Sequence, residues 1–208
     1  MNYELVTDAN SEGFRQTLEI YRASFPDNER HTDDLVARRI AEGPYRLFVA
    51  KDGDNVAIFA ILYDFPETEF VLLDYFASHP KMRGGGRGTE FFRHLVQSVS
   101  ANGKSLVIEV EDPAYGNDEE RHRRLKFYHR HGAREILSVP YKMPSLIGGE
   151  PIEMKLLLAP AASKRPLTGE KIRTLVRRLY EEVYNLNAND ELMHSVLTKI
   201  PETVLVAA

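Results

Sequence analysis

Asp74-Tyr75-Phe76-Ala77-Ser78-His79-Pro80-Lys81-Met82-Arg83-Gly84-Gly85-Gly86-Arg87-Gly88-Thr89-Glu90-Phe91-Phe92 is the stretch on which the fold turns. An apolar strand, Val71 to Ala77, runs into a turn at His79-Pro80. A short loop follows with Gly84, Gly85, Gly86 and Gly88, flanked by Arg83 and Arg87. Phe91, Phe92, Leu95, Val96 and Val99 then fall on one face of an amphipathic helix. A glycine loop between a strand and a helix N-terminus is a recipe for holding an anion. Its N–H groups point outward, the helix dipole favours negative charge, and glycine permits positive φ and close approach of the backbone.

Spacing separates the loops that share this recipe. A nucleotide P-loop requires Gly-x-x-x-x-Gly-Lys-Ser/Thr, and here Thr89 follows Gly88 with no lysine between. A dinucleotide fingerprint requires Gly-x-Gly-x-x-Gly. Counting from Gly84 the last position is Thr89, and from Gly86 it is Phe91. Arg-x-x-Gly-x-Gly does fit, as Arg83, Gly86 and Gly88. This resembles the acyl-CoA loop of the GNAT superfamily of N-acyltransferases. Downstream, Phe127-Tyr128-His129-Arg130-His131-Gly132-Ala133 resembles that family's Phe-Tyr-x-x-x-Gly-Phe segment. Two motifs in the right order are far more specific than one, and the resemblance extends as a pattern of elements over residues 3 to 158.

The fold class implied is α/β (α+β): a GNAT-like mixed, mostly antiparallel central sheet flanked by helices, with a C-terminal helical extension. The expected layout is a GNAT-like acyl-CoA-binding catalytic domain over 1–158, then a linker and a helical extension over 159–208 packed on it. A strand is expected near residues 3 to 7. Phe14, Leu18, Tyr21 and Phe25 mark a helix that Pro26 stops, and Leu35, Val36 and Ile40 mark a second. Arg46 to Ala50 and the almost wholly apolar Val56 to Tyr63 read as strands joined by a turn at Asp52-Gly53-Asp54. Asn102-Gly103 ends the loop helix, and Ser105 to Glu111 forms a strand. Asn117 or Asp118 would cap a helix that stops at Gly132. Arg134 to Val139 and Ile152 to Leu158 read as further strands. Ala159 to Pro166 has a linker's composition. Ile172 to Val183 is strongly amphipathic, and Asn189 or Asp190 would cap a last helix. This tail reads most simply as helices packed on the main domain; a homodimer arm or a lid is the alternative.

Composition narrows the classes of function. A hydrophobic share of 43% and a charged share of 28% are those of a globular domain. A net charge of −4 argues against a dedicated nucleic-acid binder. The chain contains 0 cysteines, so a disulfide, a thiolate metal site and a cysteine nucleophile are excluded. The seven histidines show no metal spacing. No apolar run approaches the ~18 residues of a membrane span, and Met1 to Leu5 lacks a signal pattern. A cytoplasmic protein is the default expectation.

The resemblance implies acetyl-CoA as co-substrate and an amine as acceptor. Backbone N–H groups from Gly84, Gly85, Gly86, Arg87, Gly88 and Thr89 would cradle the pyrophosphate, with Arg83 and Arg87 adding charge. The main chain of Phe76, Ala77 and Ser78 would bind the pantetheine and polarise the acyl carbonyl. Tyr128 matches the tyrosine that protonates the departing thiolate in many members. An alkylammonium near pKa ~10.4 needs a base at neutral pH. Glu109 and Glu111, two residues apart on one strand face, are the candidates, with Asp74 a weaker one. As neighbouring carboxylates they are expected to repel and so raise at least one pKa. Glu29, after the first helix, is a further candidate for contact with a cationic acceptor. One departure stands out: many relatives carry Asn seven residues before the motif tyrosine, and here the residue is Arg121. A non-catalytic acyl-CoA-binding sensor or interaction module is the alternative function.

Overall fold

The computed structural model describes residues 1–116, 119–146, 148–160 and 167–207, without the side chain of Asn28. The helix cap expected at Asn117 or Asp118, and residues 161–166 of the expected linker, lie outside that set. The chain forms two compact units, Met1–Lys104 and Ser105–Ala208. Each is mixed α/β, with mostly antiparallel strands flanked by helices, the fold class expected from the order of elements.

The first unit holds β1 (Asn2–Val6), α1 (Glu12–Ser24), α2 (Asp33–Glu42), β2 (Tyr45–Asp52), β3 (Asn55–Asp64), β4 (Phe70–Ser78) and α3 (Arg87–Ser100). Its strands lie in the order β1-β2-β3-β4, each antiparallel to the next. Gly53, at φ 62, makes the turn between β2 and β3. β3 is buried from Val56 to Tyr63, as its continuous apolar run demands. On one face Tyr21 of α1 meets Phe59 and Tyr75 edge-on, at ring distances of 6.3 and 4.8 Å. On the other, Phe91 of α3 lies 6.1 Å from Phe76 and 5.4 Å from Tyr3. Ser11 caps α1 by accepting from the Phe14 amide at 3.2 Å, and Pro26 follows its end.

The second unit holds β5 (Ser105–Glu111), α4 (Glu119–Arg130), β6 (Arg134–Glu135), β7 (Lys142–Met143), β8 (Ile152–Ala159), β9 (Leu167–Thr168), α5 (Gly169–Arg178), α6 (Glu191–Leu197) and β10 (Thr203–Val204). β8 is its axis, pairing antiparallel with β5, β6 and β7. Gly132, at φ 91, ends α4 where the sequence placed the stop. The strand expected over Arg134 to Val139 is cut to two residues. Ser138 turns the chain at φ 62, and the backbone beyond β6 bonds with the C-terminal residues instead: the Leu137 amide donates to the Leu205 carbonyl at 2.8 Å, and that of Ala207 to Glu135 at 2.8 Å.

The amphipathic run from Ile172 is helical as expected, but its end widens into a π-helical turn, Leu179–Val183. Asp190 caps α6 by accepting from the amides of Leu192 at 2.9 Å and Met193 at 3.2 Å. The start of α5 sits hard against the residues after α6. The Gly169 amide donates to the Glu202 carbonyl at 2.7 Å, and a Cβ at Gly169 would stand 2.0 Å from the Pro201 carbonyl oxygen.

That contact generates a test by opposite signs. Gly169→Ala is expected to destabilise the protein by roughly 1–3 kcal/mol, because backbone occupies the methyl's place. Gly13→Ala, also in a helix but with only an ordinary 3.5 Å contact to Val6 waiting, is expected to stabilise by about 0.5–1 kcal/mol. Urea unfolding of the two variants beside the parent measures both.

Candidate active site

Within the first unit, Pro80–Met82 forms a single 3-10 turn after β4. The His79 amide is tied to the Ala57 carbonyl at 2.8 Å, and His79 Nδ1 accepts from the Lys81 amide at 3.2 Å. Three consecutive residues then take left-handed conformations: Gly84 at φ 99, Gly85 at φ 63 and Gly86 at φ 76. Side-chain-bearing residues strain there, so the run must be glycine for conformational reasons. Gly86 is the N-terminal flanking residue of α3 and offers no side-chain cap. Among the described residues, no partner accepts from the amides of Gly84, Gly85, Gly86, Arg87 or Gly88. Orphan amides at a helix start, where the macrodipole is positive, form an anion site.

Gly88 is different in kind. It lies inside α3 without positive φ, and a Cβ there would meet nothing within 4 Å. Nothing in the surrounding chain calls for glycine. Lys81 and Arg83 are exposed and make no ion pair among the described residues. Arg87 pairs with Asp52 at 3.2 Å, with the two side chains 40% and 48% exposed. Such a surface pair contributes about 0–1 kcal/mol and is easily exchanged for another anion.

β4 delivers the candidate pantetheine residues. Phe76, Ala77 and Ser78 pair with Ala60, Phe59 and Ile58 of β3 along one edge and are half-buried. Upstream the register jumps, with Tyr75 opposite Ile61 but Leu73 opposite Leu62, so it steps over Asp74. This β-bulge, which periodicity could not reveal, sets the facing of the strand's last residues. After it, Tyr75 points to the α1 side and Phe76 to the α3 side. Glu29 lies in a 3-10 turn after α1, Asp27–Glu29, whose carbonyl meets the Tyr75 hydroxyl at 3.4 Å.

In the second unit, Tyr128 is a half-buried residue of α4's last turn. Loss of water pushes its hydroxyl up to about 12, and the positive charge of Arg124 works in the opposite sense. The phenol therefore carries its proton at neutral pH. Its carbonyl accepts from the amides of His131 at 3.1 Å and Ala133 at 3.0 Å, which fixes the helix end.

The two β5 carboxylates share a face but not an environment. Glu111 is held by Arg121, at 3.0 Å, and by Arg124, both from α4. Arg121, the departure noted in the sequence, thus anchors α4 to β5. Glu109 accepts from the Tyr141 hydroxyl on Oε1 and from the Tyr184 hydroxyl on Oε2, the latter at 2.8 Å. Burial pushes the Glu109 carboxyl above the usual carboxylate range, and the two phenolic hydrogen bonds pull it back in part. What raises this group is lost water, in place of the mutual repulsion expected of the pair. Tyr141 and Tyr184 were not foreseen as partners of Glu109, because they lie 32 and 75 residues away in sequence and no local spacing links them. Among the described residues, no group of three or more His, Cys, Asp and Glu side chains is arranged to hold a metal ion, and no helix is long and apolar enough to cross a membrane.

Comparison with known proteins converges on one family. The family model for the acetyltransferase (GNAT) family matches residues 14–133. A putative acetyltransferase, YjbC of Bacillus subtilis (strain 168), is 27% identical over 115 residues, covering 55% of this chain and 56% of that protein. An uncharacterised protein of Dictyostelium discoideum is 28% identical over 109 residues, 52% of this chain and 25% of its own length. The chain thus spans little more than half of one curated relative and a quarter of the other. Among solved structures, a putative GNAT-family acetyltransferase from Bacteroides thetaiotaomicron superposes with a TM-score of 0.75 at 25% identity, over 90% of this chain and all of that one. An aminoglycoside 6'-N-acetyltransferase complexed with coenzyme A shares the fold at a TM-score of 0.58 and 13% identity, over 76% of this chain and 96% of that one. With a family model spanning more than half its length, the chain belongs to the GNAT family of acetyltransferases.

Proposed function

We propose that the protein transfers an acetyl group from acetyl-CoA to a primary amine by direct attack in a ternary complex. The observation that carries this reading is the row of unpartnered amides from Gly84 to Gly88 at the start of α3. It is a ready seat for the pyrophosphate of CoA, and the family supports acyl transfer from acetyl-CoA as the class of chemistry. The Thr89 amide completes the cradle, and Lys81, Arg83 and Arg87 supply positive charge at its rim. Phe76, Ala77 and Ser78 offer main-chain groups to the pantetheine and to the acyl oxygen as negative charge develops on it.

The acceptor must lose a proton before it attacks, and Glu109 takes it, directly or through a water. Glu109 is the better base of the pair because its raised pKa increases its proton affinity, whereas Glu111 is committed to Arg121 and Arg124. The amine nitrogen then bonds to the acyl carbon and sheds its second proton as the carbon–sulfur bond breaks. Tyr128 gives its proton to the leaving CoA thiolate and is reprotonated by the one the nitrogen releases, through solvent. A phenol held near 12 is protonated at working pH and suited to that transfer. Without cysteine in the chain, a cysteinyl acyl-enzyme has no place in the scheme. The location that goes with this reading is the cytoplasm.

Two predictions test it. Gly88→Ala should leave stability unchanged or raise it by about 0.5–1 kcal/mol, yet weaken CoA binding on the order of tenfold, a loss of roughly 1.4 kcal/mol from one blocked contact. Calorimetric titration with CoA, beside thermal unfolding, separates the two effects; undiminished CoA affinity would remove the loop from the site. Tyr128→Phe should lower kcat on the order of a hundredfold while CoA affinity holds, read as free thiol released from acetyl-CoA against a panel of amines. CoA binding by the parent protein with no transfer to any amine would mark it as a sensor instead of an enzyme.

A further inference from the structure

We propose that Tyr184, carried by the chain beyond the family-matched residues, is a positioning residue for the Glu109 carboxylate, so that the C-terminal segment is part of the reaction machinery. The inference rests on the reading of Glu109 as the base. The family model ends at residue 133, and both partners of Glu109 lie past that point.

The geometry is a two-point grip. Tyr141 donates to one carboxylate oxygen and Tyr184 to the other, which fixes the plane of the group and leaves each oxygen a further lone pair for the acceptor's proton. The scaffold beneath is closely packed. Tyr141 is 1% exposed and stacks on Tyr180 at 5.4 Å, and the Tyr180 hydroxyl donates to the Lys142 carbonyl at 2.7 Å. Tyr184 is half-buried at the edge of this cluster. It is delivered by the π-helical turn Leu179–Val183, where the Tyr184 amide reaches back five residues to the Leu179 carbonyl at 3.2 Å. Such a turn re-aims the residues that follow it, and π turns concentrate at functional sites. Tyr184 is also the more informative of the two phenols to alter, because Tyr141 is a core residue whose loss would disturb packing.

Ionisable groups around Glu109 are accounted for on each neighbouring element. Tyr141 and Tyr180 are both electrostatically coupled to it, and both are held protonated by burial. On its own strand Glu111 is paired to Arg121 and Arg124 of α4. Toward β7 and β8, Glu153 is paired to Lys142 at 2.5 Å, and Lys155 is shared between Asp112 and Glu135. Asp190 is occupied in capping α6. A hydrogen bond from Tyr184 favours the ionised carboxylate and so lowers its pKa. Without that bond the pKa rises, and the acid limb of the rate profile moves to higher pH.

The experiment is the pH dependence of kcat/KM for the full chain and for Tyr184→Phe and Glu109→Gln, with thermal unfolding in parallel. The expected result is an acid limb displaced upward on the order of one pH unit in Tyr184→Phe, with a plateau lowered on the order of tenfold, and the loss of roughly a hundredfold in Glu109→Gln. A purely structural role would lower the melting temperature without moving the limb. Site-specific 3-fluorotyrosine at position 184, a stronger donor of the same shape, should move the limb to lower pH, which keeps the test decisive if Tyr184→Phe folds poorly. Superposed profiles for the parent and both Tyr184 variants, with Glu109→Gln inactive, would overturn the positioning role and leave the base in place. Undiminished activity in Glu109→Gln would remove the base itself, and the role of Tyr184 with it.

Discussion

The passage of the backbone from β4 into α3 through three left-handed glycines is the constraint on which the first unit depends. A helix must begin somewhere, and its first amides have no partner within it. Most helices answer with a side-chain cap, as Ser11 does for α1. Here Gly86 has no side chain to offer, and Gly84 and Gly85 turn the chain without closing any hydrogen bond on those amides. The unmet donors are tolerable because the loop is exposed to water, and the same exposure makes them available to a diphosphate. Polarity left unsatisfied by the fold is the part of the fold that a ligand can use. Beneath, the half-buried Phe76 stacks on the buried Phe91 and meets the buried Phe92 edge-on, which ties the loop's two ends together so that the donors are arranged before anything binds.

The second unit shows how packing assigns different chemistry to like residues. Glu109 and Glu111 are one strand period apart and carry the same functional group. Two guanidinium groups meet Glu111 and two phenols meet Glu109. Full positive charges hold a carboxylate occupied. Neutral donors hold it in place while burial keeps its affinity for a proton high. The division of labour comes from α4 on one side and from the tyrosines at 141 and 184 on the other.

Much of this was legible in the sequence because it is local. The glycine spacing, the apolar run at Val56 to Tyr63, the stop at Gly132 and the periodic face of α3 each express a rule spanning fewer than about ten residues. What escaped is what depends on partners distant in the chain. Arg134 to Val139 reads as a strand by composition, yet the C-terminal residues compete for its hydrogen bonds and Ser138 bends it away. The π-helical turn is invisible to a periodicity that fits an ordinary helix through Ile172 to Val183. The repulsion expected between Glu109 and Glu111 is the natural inference from two residues on a strand, and only the tertiary packing shows that each is answered separately.

The extra residue at Asp74 makes the end of β4 tolerant in one respect and brittle in another. Side chains along Phe76 to Ser78 can be exchanged while the main-chain groups keep their orientation, since pairing with β3 defines that orientation. Loss of Asp74 itself would leave Leu73 opposite Leu62 and Tyr75 opposite Ile61 in a regular ladder with the same facing, whereas loss of a residue beyond it would exchange the α1-facing and α3-facing sides ahead of the glycines. Parity therefore leaves this end of the strand open to substitution and confines a tolerated deletion to the bulge.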